Sequence, residues 1–558
     1  MIQLGISAFY HDSAACLVKD GVVIAAAEEE RFTEIKHDSS FPHNAIKWLL
    51  KSNNLTLRQI SEVCWYEKPE VKKERVLKIF SKHFFKTFFL KRKFLKEFEE
   101  KNPENILRKL GYKGVIKYTD HHLSHAAFSY YSSPFGSAAI LTVDGVGEWD
   151  TTAIYEATGK NIEKRLSIEF PNSLGMLYST ITAYLGFKPN EGEYKVMGLA
   201  PYGNPKKFYN KLDSVFKNTS NKYFINQKPF TWEYTDKIMF NKNLCRILGI
   251  PPRLPEDELK QEHKDLAAAL QKIYEHQFNK LLETAKNMTG FDSLCLGGGC
   301  AYNGVANTLA YSKFKNVWVP FAPSDAGSAI GACLYHSKKK KSGNDVPFLG
   351  PEYTDTEILK AINKVKNKVT YVKFEDGRLY SRVAELLDAQ NIVAWFQGRM
   401  EFGARALGNR SILASPKFAN MREKLNHVIK KREGFRPFAP SALVPDANKW
   451  FVMKQEIPFM NQVVKARPSS NHGKKSPFPA AVHIDNSARV QTVTKEQNER
   501  YYLLLEALKA VSGFGVVLNT SFNLKDQTIT MSPEQAIERY LDSEIDYLVV
   551  NNFLIIKQ

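Results

Sequence analysis

Cysteine is scarce. The 558 residues hold six, Cys16, Cys64, Cys245, Cys295, Cys300 and Cys333, and no two of them form Cys-x-x-Cys. That density excludes a disulfide-stapled scaffold and fits a reducing compartment. Long apolar runs are absent too: no window approaches the roughly 18 residues that a bilayer span requires. The opening run MIQLGISAFYHDSAA has neither a basic n-region nor a long apolar core, so it does not read as a signal peptide. A soluble, cytoplasmic protein is the expectation. Acidic residues are in deficit, 59 Asp+Glu against 78 Lys+Arg, for a net charge of +19. The surplus points to anionic partners such as nucleotides, phosphates, nucleic acid or a membrane surface, and does not choose among them. With 43% hydrophobic and 25% charged residues, the chain is neither disordered nor collagen-like. Its length suits two or more domains, each with its own core.

Two stretches share one pattern. Residues 2–9 and 14–18 read as strands around a turn at His11-Asp12, and Asp20-Gly21 leads into a third strand, 22–27. Later, the strand 138–143 turns at Asp144-Gly145-Val146-Gly147 into another strand from Thr152. Each unit sets an Asp at a bend where backbone can approach a phosphate or a metal. A third element, Leu294–Leu296 followed by Gly297-Gly298-Gly299 and a helix start at 301–308, would let a ligand come close to the backbone. Strand 317–319 and Pro323-Ser324-Asp325-Ala326-Gly327 lead into a small-residue helix. Residues 337–356 are basic, then rich in Gly and Pro, and mark a boundary. Beyond it come a helix over 378–391, a strand over 392–396, a capped helix opening at Ser532-Pro533-Glu534-Gln535 and a closing strand, 547–556. The segment 72–96 holds ten Lys/Arg, and Phe80, Phe84 and Phe88 recur at i+4. It reads either as a membrane-surface or nucleic-acid contact or as an amphipathic helix packed on its own domain.

Four motifs carry chemistry. In Asp120-His121-His122-Leu123-Ser124-His125, Asp120 reads as an N-cap, and His121 and His125 share one helix face at i,i+4. Imidazole suits iron, zinc or nickel better than magnesium. Ordinary surface histidines satisfy the same spacing, but Asp144 and Asp325 stand at turns that could complete the site. The triple-glycine turn with Asn303 and two acidic hairpins fits the layout of the actin-like ATPase and sugar-kinase fold. The run Gly398–Ser411, with Arg399, Arg405 and Arg410 among its glycines, suits a loop that lays guanidinium groups on phosphate oxygens. Arg436 adds a further cation, and Lys430-Lys431-Arg432 closes the helix before it. Leu518-Asn519-Thr520-Ser521-Phe522-Asn523 runs an apolar strand into small polar side chains, which suit either a ligand or a polar turn.

Taken together, HDSAACLVKDG, EEERFTEIKHD, DHHLSHAAFSYY, VDGVGEWDTT, EYKVMGLAPYG, GGGCAYNGVAN, PSDAGSAIG, GRMEFGARALGNRSILA, FRPFAPS and LNTSFN resemble the nodulation-protein and cephamycin-type O-carbamoyltransferases, in order and over nearly the whole chain. The resemblance implies an α/β enzyme of two domains. Residues 1–350 would be an actin-like domain similar to threonylcarbamoyl transferases, and 351–558 a YrdC-like twisted sheet. The second would make carbamoyl-adenylate from ATP, with Mg²⁺, and carbamoyl phosphate. The first would move the carbamoyl group to an acceptor hydroxyl of a sugar or natural product beside bound Fe²⁺.

Carried over residue by residue, the metal ligands fall on His121, His125, Asp144 and Asp325. The adenylate-contacting turn falls on Gly298, Gly299 and Asn303. His11 and Lys36 fall beside the transferring carbamoyl group. ATP and carbamoyl phosphate fall to Arg405, Arg410, Lys430, Arg489, Ser521 and Asn523, with Arg399 and Arg436. A nucleic-acid partner is not expected, although a tRNA-modifying threonylcarbamoyl enzyme would share both domain types. A sugar kinase of the actin-like fold would need no second domain, and an idle membrane-bound module would not need both sets of motifs. Peripheral membrane contact through 72–96 stays open.

Overall fold

The computed structural model describes residues 1–235, 238–375, 377–469 and 476–558, without the side chains of 85, 88 and 89. The chain divides into two units. The first comprises Met1–Glu29 and Ser39–Asp345, and the second Glu30–Asp38 and Val346–Gln558.

The first unit repeats one sheet twice. Strands β1 (Ile2–Ser7), β2 (Ala14–Lys19), β3 (Val22–Glu28), β4 (Glu62–Trp65) and β5 (Val115–Tyr118) lie in the order β3-β2-β1-β4-β5. Strands β6 (Ser137–Val143), β7 (Asp150–Thr158), β8 (Asn161–Glu169), β9 (Ser293–Gly297) and β10 (Asn316–Trp318) lie in the order β8-β7-β6-β9-β10. In each sheet the first three strands form an antiparallel meander and the last two run parallel to the first. Thus Leu4 faces Leu17 on one side and Val63 on the other, and Leu141 faces Ile154 and Leu296. The inner parallel strands β4 and β9 are buried beyond their first residue, as a covered sheet requires, whereas the edge strands β5 and β10 are partly exposed. This duplicated order is that of the actin-like ATPase and sugar-kinase fold, and the two acidic hairpins foreseen from sequence open the two repeats.

A helix follows the last strand of each repeat, His121–Tyr131 after β5 and Asp325–Ser337 after β10. The two pack at close range because the second is built of small residues. A Cβ at Gly331 would stand 1.9 Å from the carbonyl oxygen of Ser124. The structure also shortens two expected elements. After the glycine turn the chain makes a 3₁₀ turn, Gly299–Tyr302, and a single helical turn, Gly304–Asn307, so no full helix N-terminus stands there. The expected last strand is a hairpin, Tyr547–Val550 and Phe553–Lys557, turned by Asn551 at φ 47°.

The segment 72–96 is not one helix. Helix Pro69–Lys82 ends at His83, and helix Phe84–Glu100 begins again beyond it, so Phe80 and Phe84 do not share a face. The two helices fold against each other, with the rings of Phe80 and Phe94 5.7 Å apart and Lys73 over the ring of Phe98. The side chain of Phe88 lies outside the described residues. Lys82 and His83 meet Glu233 of the same unit.

The second unit is built on one eight-stranded mixed sheet. Its strands are β11 (Val369–Lys373), β12 (Val393–Phe396), β13 (Arg410–Ala414), β14 (Ala439–Leu443), β15 (Gln491–Val493), β16 (Val516–Ser521), β17 (Tyr547–Val550) and β18 (Phe553–Lys557), in the order β11-β18-β17-β12-β13-β16-β14-β15. One face carries a core around Ile412, Leu425, Phe478 and Leu548, the other a core around Trp395, Leu413, Tyr501 and Val549. The capping box at Ser532 and Gln535 forms as the sequence foretells.

Gly331→Val should destabilise the first unit by about 1–3 kcal/mol, the usual cost of overpacking. Urea unfolding of the purified chain reads this. An unchanged midpoint would mean that the two helices have room to part.

Candidate functional site

Each repeat contributes two parts of one buried cluster. The first repeat supplies His121 and His125 from the helix after β5, and the second supplies Asp325 from the first turn of the helix after β10 and Asp144 from the β6–β7 hairpin. All four are buried, and one donor atom from each lies within 4.8 Å of every other. His125 Nε2 stands 2.8 Å from Asp144 Oδ2, 3.4 Å from Asp325 Oδ1 and 3.2 Å from His121 Nε2. His121 Nε2 stands 3.5 Å from Asp144 Oδ2 and 3.6 Å from Asp325 Oδ1. Ligands about 2.1 Å from one small cation stand about 3–3.5 Å from their neighbours, so this cage has the dimensions of a filled coordination shell.

Its electrostatics agree. Among the described residues, both oxygens of Asp325 are buried with no hydrogen-bond donor, and no Lys or Arg pairs with either carboxylate. Burying such anions unpaired is expensive. The cage therefore attracts protons: burial pulls His125 down, but Asp144 and Asp325 outweigh it and hold it up at about 9. The donor set, two imidazoles and two carboxylates, suits a first-row transition ion.

Outer contacts fix the ligands. Ser328 Oγ meets His125 Nδ1 at 2.9 Å, and the amide of Gly145 donates to Asp144 Oδ1 at 2.7 Å. His122 turns away to Thr142 at 2.8 Å. Asp120 holds the N-cap position, but its side chain makes no capping hydrogen bond and pairs with Lys68 at 3.0 Å. The amide of His121 instead donates to Glu148, whose two oxygens each lie 3.0 Å away. Sequence reasoning missed Glu148 and Ser328. The signal for Glu148 was its place in VDGVGEWD, four residues after a ligand.

His11 sits in the first repeat's hairpin, at the position Asp144's hairpin occupies in the second. Its Nε2 is 3.9 Å from Asp325 Oδ2 and its Nδ1 is 3.0 Å from Asp12. Burial pulls its pKa down, but Asp325 and Asp12 win and hold it up at about 10. Gly298 lies at φ +86°, and a Cβ there would strike the Val143 carbonyl oxygen at 2.3 Å, so only glycine lets β9 pass the β6 end. A Cβ at Gly299 would stand 3.2 Å from Asp144 Oδ1. Asn303 caps the short turn through the amide of Ala306 and exchanges hydrogen bonds with Gln271, at 3.1 and 3.2 Å.

The second unit gathers cations. Arg489 has its pKa pushed well below the ordinary value by burial and by Arg405, Arg432 and Arg436. Lys430 is 5% exposed, and burial with Arg432, Arg436, Lys36 and Arg539 pushes it the same way. Its ammonium donates to the carbonyls of Ser521 and Asn523 at 2.5 and 2.8 Å and to Asn523 Oδ1 at 2.9 Å. Ser521 in turn donates to Asn523 Oδ1 at 2.6 Å. A π-helical stretch, Lys424–Ile429, delivers Lys430, and Lys431 follows at φ 44°. Lys36 belongs to this unit, on a segment where Glu34 accepts from Arg539 at 2.7 Å and Arg31 donates to the Gly403 carbonyl at 3.1 Å. His11 belongs to the first unit.

Two of the expected phosphate cations are committed elsewhere. Arg410 is fully buried, donates to the carbonyls of Gln397, Gly398, Asn409 and Pro351, and stacks 3.6 Å over Phe396. Its charge knits the glycine-rich loop, which Glu401 holds from inside by accepting from the amides of Leu407, Asn409 and Arg410. Arg399 donates to the carbonyls of Leu349 and Gly350. The sequence showed the cations but not that loop glycines leave carbonyls needing donors.

The first unit is thus a duplicated actin-like unit with a histidine–aspartate cage, and the second an α/β unit with a cluster of buried cations. Comparison with known proteins supplies the activity. A family model described as Carbamoyltransferase N-terminus matches residues 2–334, and one described as Carbamoyltransferase C-terminus matches 384–557. The chain belongs to the carbamoyltransferase family and is an enzyme that transfers carbamoyl groups. It is 40% identical to the Synechocystis protein sll1178 over 99% of this chain and 96% of that one. It is 34% identical to the nodulation protein NolNO of Sinorhizobium fredii, over 99% and 79%. It is 30% identical to the 3'-hydroxymethylcephem-O-carbamoyltransferase of Amycolatopsis lactamdurans, over 73% and 74%. Among solved structures, full-length HypF in its phosphate- and nucleotide-bound form matches 61% of this chain and 56% of that one at 14% identity, with a TM-score of 0.31. The strand order, and not that score, defines the fold.

His125→Ala should leave the purified protein without bound transition metal after dialysis, and Ser328→Ala should weaken binding by about tenfold, as loss of an outer contact does. Elemental analysis and competitive chelator titration read both. Full metal retention in His125→Ala would rule out the cage.

Proposed function

We propose that the enzyme is an ATP-dependent O-carbamoyltransferase working at two centres. At the second unit, carbamoyl phosphate and water give carbamate and phosphate. The carbamate oxygen then attacks the α-phosphorus of Mg²⁺-ATP, forming carbamoyl-adenylate and releasing pyrophosphate. At the first unit, an acceptor hydroxyl attacks the carbamoyl carbon, the bond to the AMP oxygen breaks, and the products are the O-carbamoyl ester and AMP. The observation that supports this reading is the separation of charge: guanidinium groups collect in one unit, carboxylates and imidazoles in the other.

Each set suits its half of the chemistry. Carbamate is a poor electrophile until its oxygen becomes part of a good leaving group. Arg405, Arg432 and Arg436 stand near enough to depress Arg489, and the four would neutralise phosphate oxygens in the transition state. Lys430, held on Ser521 and Asn523, fixes the wall of that site. In the first unit His121, His125, Asp144 and Asp325 would hold the metal, with Fe²⁺ the ion we assign. When bound, such an ion supplies Lewis acidity toward the adenylate and cancels the carboxylate charge that keeps His11 protonated. His11 Nε2 then takes the acceptor's proton, while Asp12 holds the other ring nitrogen. Gly298 and Gly299 leave backbone bare beside Asp144 for the adenylate.

The relatives' names support oxygen as the acceptor atom. Two of them are 3'-hydroxymethylcephem-O-carbamoyltransferases.

The two centres fail separately in this scheme. Arg489→Met should lower adenylate formation by about 100-fold, the scale of one lost transition-state donor, and spare transfer from supplied carbamoyl-adenylate. Asp325→Asn should do the reverse. Carbamate-dependent ATP–pyrophosphate exchange and single-turnover transfer read the two steps. Arg489→Met should also raise the melting temperature, because it relieves a cation crowded by three others. Both variants failing at the same step would contradict the two-centre scheme.

A further inference from the structure

The basic segment contains a buried cation that makes no hydrogen bond or ion pair among the described residues. Arg75, on helix Pro69–Lys82, is only 7% exposed. Its Nε is buried with no hydrogen-bond partner among the described residues, and its guanidinium carbon stands 5.2 Å from the centre of the Phe170 ring. Two carboxylates lie within electrostatic reach, Glu67 and Glu148, and both are occupied. Glu67 accepts from Lys72 at 3.0 and 3.1 Å. Glu148 accepts from the backbone amides of Lys68, at 2.7 Å, and His121, at 3.0 Å. A guanidinium carries five donors in a planar fork, and desolvating it without partners costs stability. Such a group is retained where a ligand completes it.

Its position says which ligand. Phe170 donates its amide to the Trp149 carbonyl at 2.8 Å, and Trp149 follows Glu148 on the loop that starts at Asp144. Tyr10 stands by the same loop and within electrostatic reach of Arg75: its hydroxyl is 3.3 Å from where a Cβ on Gly145 would stand, and its ring lies 4.7 Å from that of His11. Tyr10 is 39% exposed, so this wall opens to solvent. Lys78, one turn along the same helix, stands 5.3 Å over Trp149. The wall beside the metal cage thus offers the exposed ring of Tyr10 to a sugar ring, together with the Arg75 fork and a second cation, Lys78, on the same helix. A planar carboxylate matches that fork in both geometry and charge.

We propose that Arg75 recognises the acceptor of carbamoyl transfer, and that the acceptor is a sugar hydroxyl whose ring carries a carboxylate. This rests on the transfer reading given above. The basic helix is then part of the acceptor site and not a membrane foot.

The test uses the full chain with Fe²⁺, Mg²⁺-ATP and carbamoyl phosphate, and two acceptors, methyl β-D-glucuronide and methyl β-D-glucoside. The wild type should favour the glucuronide in kcat/KM by about tenfold, the worth of one charge-assisted hydrogen bond. Arg75→Met should erase the preference through KM, and Arg75→Lys, which keeps charge but loses the fork, should restore part of it. Equal use of both acceptors by the wild type, or an equal loss on both in Arg75→Met, would overturn the proposal; the latter would place Arg75 on the adenylate. Calorimetric binding of the two glycosides to iron-loaded wild type and Arg75→Lys decides the matter without turnover, and iron content confirms that each variant is folded. The same tenfold preference is expected there, and its absence overturns the proposal. Failure of ATP–pyrophosphate exchange in the wild type would instead strike the two-centre scheme and leave the binding result standing.

Discussion

Two carboxylates and two imidazoles are buried against one another with no basic side chain to balance them, and the first unit is organised around that imbalance. Asp144 and Asp325 could each have been paired with a lysine. They are paired instead with groups that share lone pairs with a cation. The alternative to a metal is protons, and the raised pKa values of His125 and His11 show how strongly the cage draws positive charge. In the proposed function, stability and chemistry would ask for the same thing here, a multivalent ion where the two sheet repeats meet.

The duplicated sheet explains why those residues converge. Equivalent hairpins bring His11 and Asp144, and equivalent helices bring the histidine pair and Asp325. Small residues let the helices close: glycine at 331 brings one backbone onto the other. This much was legible in the sequence, because strand–acidic turn–strand patterns and i,i+4 histidines are local. What closes the geometry was not. Glu148 replaces Asp120 as the acceptor for His121, and Ser328 reaches His125 from 203 residues away. Such contacts arise from tertiary packing and leave no periodic trace.

The second unit shows the same division. Its arginines were visible as a motif, yet their roles split by what the glycine-rich loop needs. Arg410 and Arg399 are spent on carbonyls that irregular backbone leaves unpaired. Arg489 is crowded by Arg405, Arg432 and Arg436 and keeps that cost. A sequence lists cations without saying which of them backbone consumes. The helix period failed for a similar reason at 72–96: the apolar spacing ran on through His83 while the chain broke there to fold back on itself.

X-ray absorption on the iron-loaded chain tests the central claim most directly. The account predicts a first shell of nitrogen and oxygen with the outer-shell scattering of two imidazoles, reduced to one in His121→Ala. A shell without histidine, or one unchanged by that substitution, would contradict it.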